Sequence, residues 1–147
     1  MLSTKLKLIS MAFKTVVIFG TFDGIHEGHR EFIREARKQG EKLVAIIARD
    51  NVVEKIKKKK PIHDELERLN TVLNIEDIDQ VFLGDSEQGT YKILKEINPD
   101  IIFFGYDQQD LHNDIIEKIK TGFLPKMELI FGKPHQPELF HSSILNQ

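Results

Sequence analysis

The sequence predicts an α/β fold, a single doubly wound domain with a five-stranded parallel sheet. Three observations carry that prediction. Five short apolar runs recur along the 147 residues: Thr15-Val16-Val17-Ile18-Phe19, then residues 43–47, 80–83, 101–104 and 127–131. Most are continuous rather than alternating, as expected of strands covered on both faces. Helical patterns separate them, and strand alternating with helix gives a parallel sheet with helices on both sides.

The elements follow in order. After the first strand, residues 30–40 place Phe32, Ile33 and Ala36 on one helical face. After the second, Arg49-Asp50 and the basic tract Lys55-Ile56-Lys57-Lys58-Lys59-Lys60-Pro61 form a connection. Asp64 and Glu67 then make a capping box, with Leu66, Leu69, Val72 and Leu73 assigned to the buried face of the helix it opens. Tyr91, Leu94 and Ile97 mark a helix that must stop before Pro99, because a residue preceding proline avoids the helical region. Leu111, Ile115, Ile116 and Ile119 mark another, with Gly122 as its C-terminal stop. In such a sheet the segments leaving the strands share one edge, where ligands bind. Residues 20–29, Arg49-Asp50, Gly84-Asp85 and Gly105-Tyr106-Asp107-Gln108 all fall there.

A chain of this length suits one domain. Residues 1–11 read as a peripheral arm, too short and too interrupted by Lys5 and Lys7 to be a secretion signal, and residues 12–147 as the domain. Met11 could serve as a second start. The 21 basic and 23 acidic residues leave a formal charge of −2, which gives no argument for nucleic acid or a membrane surface as partner. No apolar run approaches the roughly 20 residues that cross a bilayer. The absence of cysteine excludes disulfides and thiolate metal sites and suits a cytoplasmic setting.

The densest chemistry lies in Gly20-Thr21-Phe22-Asp23-Gly24-Ile25-His26-Glu27-Gly28-His29. A glycine-rich turn between a buried strand and a helix aims backbone N–H groups and the positive end of the helix dipole at one point. That is an anion site, and His26 and His29 add side-chain donors beside it. Fixed donors at a phosphate stabilise charge that grows in a transition state, and Gly28 lets the backbone come close. Two ordinary loop histidines are the bland alternative. Zinc is the other rival, but it would want three or four ligands, and no cysteine or HExxH-like pattern supplies them. Elsewhere a bland reading also stands beside each candidate. The lysine run can be a solvated loop, Arg68 an exposed partner of Asp64 or Glu65, residues 105–108 a plain turn, and Ser142-Ser143 the cap of a terminal helix.

The GTFD…HxGH stretch resembles the cytidylyltransferase-type nucleotidyltransferases, Rossmann-like relatives of the class I aminoacyl-tRNA synthetases. The resemblance spans about residues 14–145. It implies that His26 and His29 serve the α- and β-phosphates, and that a lysine of the connection, best Lys57 but with Lys58 or Lys59 possible, closes on the triphosphate with Arg68. It also assigns Gly20, Thr21, Phe22, Asp23, Gly28, Gly105, Asp107, Gln108, Ser142 and Ser143 to nucleotide binding, with Asp107 helping to seat the nucleotide. Mg²⁺ is implied as partner of the triphosphate, with no protein metal site, and a homodimer is implied as well. From Val81 to Gln108 the chain is most similar to archaeal-type FAD synthetases, so the expected reaction moves AMP from ATP to FMN with release of pyrophosphate. Tyr106, Phe123 and Phe140 are the aromatic surfaces available to a flavin. CTP-dependent transfer to glycerol 3-phosphate or another polyol phosphate is the alternative acceptor chemistry. A binding module without turnover is the alternative class, motivated by Lys133-Pro134-His135-Gln136-Pro137-Glu138 where relatives carry a basic residue, and by the short tail. A synthetase-like RNA-associated fragment is disfavoured by the near-neutral charge.

Overall fold

The computed structural model describes residues 13–134; the arm at 1–11 and Ser142-Ser143 lie outside that range. Its elements are β1 (Thr15–Gly20), α1 (Glu27–Arg37), β2 (Lys42–Ile47), α2 (Asp50–Lys57), α3 (Glu65–Leu73), β3 (Gln80–Leu83), α4 (Lys92–Ile97), β4 (Ile101–Phe104), α5 (Gln109–Lys120) and β5 (Glu128–Phe131). The five strands are all parallel in the order β3-β2-β1-β4-β5. Strand order therefore reverses between β1 and β4, and the crevice at their carboxyl ends is the topological switch point.

Alternate strand residues feed two separate cores. Val16, Ile18, Leu43, Ala45 and Ile47 pack with Ile33 and Ala36 of α1 and Val72 of α3. Val17, Val44, Ile46, Ile102 and Phe104 pack on the other face with Leu94 of α4 and Ile115 of α5. Double coverage is why the central strands read as continuous apolar runs. Edge strand β3 is less covered, leaving Phe82 36% exposed.

The capping box at α3 is present, with Glu67 N donating to Asp64 Oδ1 at 2.8 Å and Asp64 N to Glu67 Oε1 at 3.2 Å. Gly122 follows the last turn of α5 at φ +85, the left-handed stop expected of it. Three expectations are corrected. The connection after β2 contains a helix, α2, of which Val53 is the buried residue. Tyr91 is the N-cap of α4 at φ 51 rather than a residue within it. The buried face of α3 carries Arg68 and Val72, whereas Leu66 and Leu73 are turned to solvent at 66% and 50% exposure. Arg68 and Val72 are four apart and share a face, so an arginine stands at the centre of the buried surface of this helix.

Candidate active site

The turn leaving β1 is built around a buried ring. A side chain at Gly20 would place its Cβ 2.4 Å from the Phe22 ring, so only glycine lets that ring fold back over the strand end. Phe22 is 3% exposed, sits at φ 53, and lies 5.6 Å centroid to centroid from His29. It is thus a wedge beneath the histidines, held in a conformation disfavoured for a non-glycine residue, and not an exposed surface for a nucleotide.

The two histidines cap α1. Gly28 N donates to His26 Nδ1 at 3.1 Å, and His26 N donates to His29 Nδ1 at 3.2 Å. A backbone N–H can only donate, so both Nδ1 atoms are acceptors, and each neutral ring must carry its proton on Nε2. The fold therefore fixes the tautomer and leaves two Nε2–H donors, on rings whose centroids are 3.9 Å apart. The Gly28 N–H, expected to face an anion, is used inside this cap.

Burial, and after it the neighbouring His26, push the His29 pKa from the usual 6.5 down to about 4, with Asp107 opposing and Lys57 reinforcing the shift. His29 is consequently a neutral donor at pH 7. The folded value lies below the unfolded one, so the unfolded chain takes up this proton first as pH falls. Its contribution to stability is whole above about pH 6.5 and is lost as pH falls toward 4. Thermal melts from pH 8 to pH 4 should show this decline, and His29→Gln should flatten it; an unchanged slope in that variant would assign the decline to other groups.

Across the switch point, Gln108 bridges the two central strands. Its Nε2 donates to Phe19 O at 2.9 Å and its Oε1 accepts from Gly105 N at 2.8 Å. The direct ladder between these strands pairs Val16 with Ile101 and Val17 with Ile102; the carboxamide joins them further along. Both ends of Gln108 are engaged by the backbone, so its role is to brace the crevice. Asp107 and Tyr106 are exposed at the same edge, Tyr106 at 47%. Gly105 lies beneath Asp107, since a Cβ there would sit 3.1 Å from Asp107 Oδ1. Phe123 is at the opposite edge, where β5 begins, under Lys95 Nζ at 3.6 Å from its ring; it is remote from the crevice. Phe140 lies outside the described residues.

Arg68 corrects the reading of an exposed surface partner: it is 1% exposed, and four of its five N–H donors are taken by the protein itself. Nε donates to His63 O at 3.0 Å, Nη1 to Thr21 O at 2.9 Å and Ala48 O at 2.8 Å, and Nη2 to Asp50 Oδ1 at 2.7 Å. Asp50 and Glu65 then exchange caps, each backbone N–H meeting the other's carboxylate at 2.9 and 3.2 Å. Arg49 joins them to the end of β3 through Gly84 O at 2.9 Å. Lys57–Lys60 are all exposed.

The structure thus gathers His26, His29, Asp107 and Lys57 at one edge, with Gly20, Thr21, Phe22, Gly105, Gln108 and Arg68 forming its frame. Asp23, whose carboxylate meets the backbone of residues 62–63, gave no such signal in sequence, because that contact is 40 residues away. Among the described residues no three His, Asp or Glu side chains converge on a metal position, and no helix is long and apolar enough to cross a membrane. A groove of about 420 Å³ between α1 and α3 is lined by Ile25, Arg30, Arg34 and Asn74.

The family model for cytidylyltransferase-like proteins matches residues 17–144. The chain belongs to that family. Among curated cytidylyltransferase-like relatives, the FAD synthase of Methanohalophilus mahii is 41% identical over 128 residues, 86% of this chain and 87% of that protein. The FAD synthase of Methanobrevibacter smithii is 40% identical over 80% of this chain and 78% of its own length. Among solved structures, a lipopolysaccharide core biosynthesis protein from Thermoplasma volcanium superimposes with a TM-score of 0.74 at 29% identity, covering 84% of this chain and 98% of that one. Pantoate-beta-alanine ligase from Francisella tularensis shares the fold at a TM-score of 0.57 and 13% identity, covering 89% and 60%.

Proposed function

We propose that this cytidylyltransferase-like enzyme is an FMN adenylyltransferase, transferring AMP from ATP to FMN. The observation that carries nucleotidyl transfer is the pair of tautomer-locked Nε2–H donors at the switch point. The flavin acceptor is supported by FAD synthases 36–45% identical to this chain.

A phosphate oxygen of FMN attacks the α-phosphorus of ATP in line, the bond from that phosphorus to the bridging oxygen breaks, and pyrophosphate leaves. His26 and His29 donate to the phosphates, gaining strength as charge builds on the leaving group. The Lys57–Lys60 segment supplies positive charge beside them. Mg²⁺ fits this site as an ion carried in on the triphosphate, which it would help to neutralise, because magnesium keeps most of its water; exposed Asp107 would be the carboxylate on this edge available to it. Asp107 and Tyr106 would flank the nucleotide and acceptor. A homodimer and a cytoplasmic setting form part of the proposal.

The test is pyrophosphate release with ATP or CTP, each paired with FMN or glycerol 3-phosphate in the presence of Mg²⁺. Release confined to ATP with FMN, and FAD recovered as product, is expected. Release confined to CTP would move the enzyme to polyol phosphates, and nucleotide binding without any release would overturn turnover itself.

A further inference from the structure

Lys58, Lys59 and Lys60 stand on a short tether whose two ends are fixed, and Lys57 is the last residue of α2, immediately before it. At its start, Lys58 ends α2 in the left-handed conformation, φ 62, with its N–H on Glu54 O. At its far end, Ile62 N donates to Asp23 Oδ2 at 2.7 Å and His63 N to Asp23 Oδ1 at 2.9 Å. The next carbonyl, His63 O, is taken by Arg68. Only residues 59–61 lie between these anchors. Asp23 itself is set between Phe22 at φ 53 and Gly24 at φ 92, three residues before His26. Both of its carboxylate oxygens are committed to the tether.

We infer that Asp23 is a positioning residue, which fixes the lysine charges over the phosphate-binding histidines by gripping the backbone at Ile62 and His63. It acts through the loop and does not touch the nucleotide. The inference rests on the reading that ATP phosphates lie at His26 and His29. Lys57, the helical residue from which the tether departs, is close enough for its charge to be felt at His29, which puts the start of the tether beside the histidines. A charge on an exposed segment loses effect quickly as it moves away, because solvent and salt screen it over about 10 Å. Holding the segment therefore matters more than the number of lysines in it. Asp23 also links the loop to the turn that caps α1, so histidine donors and lysine charges share one rigid reference.

Asp23→Asn keeps one acceptor oxygen and replaces the other with a donor, removing half the grip. The experiment measures MgATP affinity by calorimetry and kcat for FAD formation in four proteins: the parent, D23N, the quadruple variant K57A/K58A/K59A/K60A, and their combination. D23N should weaken ATP binding about 5- to 10-fold, the size of one ordinary net hydrogen bond because the loosened loop acts on the nucleotide only indirectly, with kcat within about twofold. In the quadruple background D23N should change affinity by less than about twofold, since coupled groups do not add. Trypsin supplies a readout independent of catalysis: cleavage of the folded protein within residues 57–60 should quicken several-fold in D23N, at a temperature where melts show both proteins folded. A full loss of affinity persisting in the quadruple background would overturn the inference in favour of direct contact, and unchanged trypsin cleavage would overturn it by showing the loop is not held. ATP binding and trypsin effects as expected, in a protein that makes no FAD, would sink the flavin assignment alone.

Discussion

His29→Gln should fold as the parent does and turn over about 10²–10³ times more slowly, the loss typical of one preorganised donor to a transition-state oxyanion. Glutamine is the informative replacement. His29 stands third in α1 and accepts the His26 N–H, the place a glutamine occupies in an ordinary capping box. The amide oxygen can take over that bond, but the side chain cannot also present a donor where Nε2–H stood. His29→Ala mixes two losses, since it also uncaps the helix, at about 1 kcal/mol. Steady-state kcat read beside a thermal melt separates them. If His29→Gln kept wild-type turnover, the donor would be dispensable and the phosphate assignment wrong.

Arg68→Ala should lose about 3–5 kcal/mol of stability, chiefly from three carbonyls left without their donor at about 1–3 kcal/mol each, with a smaller part from Asp50, whose side chain is 34% exposed and screened by solvent. That corresponds to roughly 10 °C or more in Tm for a domain of this size. Four bonds converge on this guanidinium, and its removal leaves the carbonyls of Thr21, Ala48 and His63 and the Asp50 carboxylate without it. A buried carbonyl without a donor is expensive in itself, so an apolar isostere such as methionine should not rescue the protein. Lysine offers three donors from one atom in place of a planar fork and should rescue only in part. Denaturant melts of Arg68→Ala, Arg68→Met and Arg68→Lys give the ordering. A variant that melted normally yet bound ATP weakly would return Arg68 to the role of a phosphate ligand.

These residues show which parts of the fold and site were legible in sequence. Strands β1, β2 and β4 are buried on both faces and announce themselves as unbroken Val, Ile and Phe. Helix α2 did not, because Val53 is its one buried residue and its last turn runs into lysines, which read as a loop. The α3 face was misassigned for a related reason. Periodicity assumes that interiors want apolar groups, but the space beneath α3 is lined with carbonyls of irregular backbone and takes a five-donor side chain instead. The HxGH motif located the histidines, and strand–helix alternation placed the GYDQ turn at the same edge. Neither could show that Phe22, Gln108 and Arg68 would be turned inward to frame the site. Those roles depend on contacts spanning 47 and 89 residues for Arg68 with Thr21 and Gln108 with Phe19, which local spacing does not encode.

The capping of α1 by histidines has one further consequence. In most helices the groups that end the backbone ladder are bystanders to chemistry. Here the atoms that satisfy the first turn are on the same rings as the donors offered to phosphate. A molecule whose first turn has frayed is therefore also one whose donors point nowhere in particular, so partly unravelled copies are silent instead of badly aimed. Fidelity of the reaction is in this sense inherited from the fidelity of a helix start.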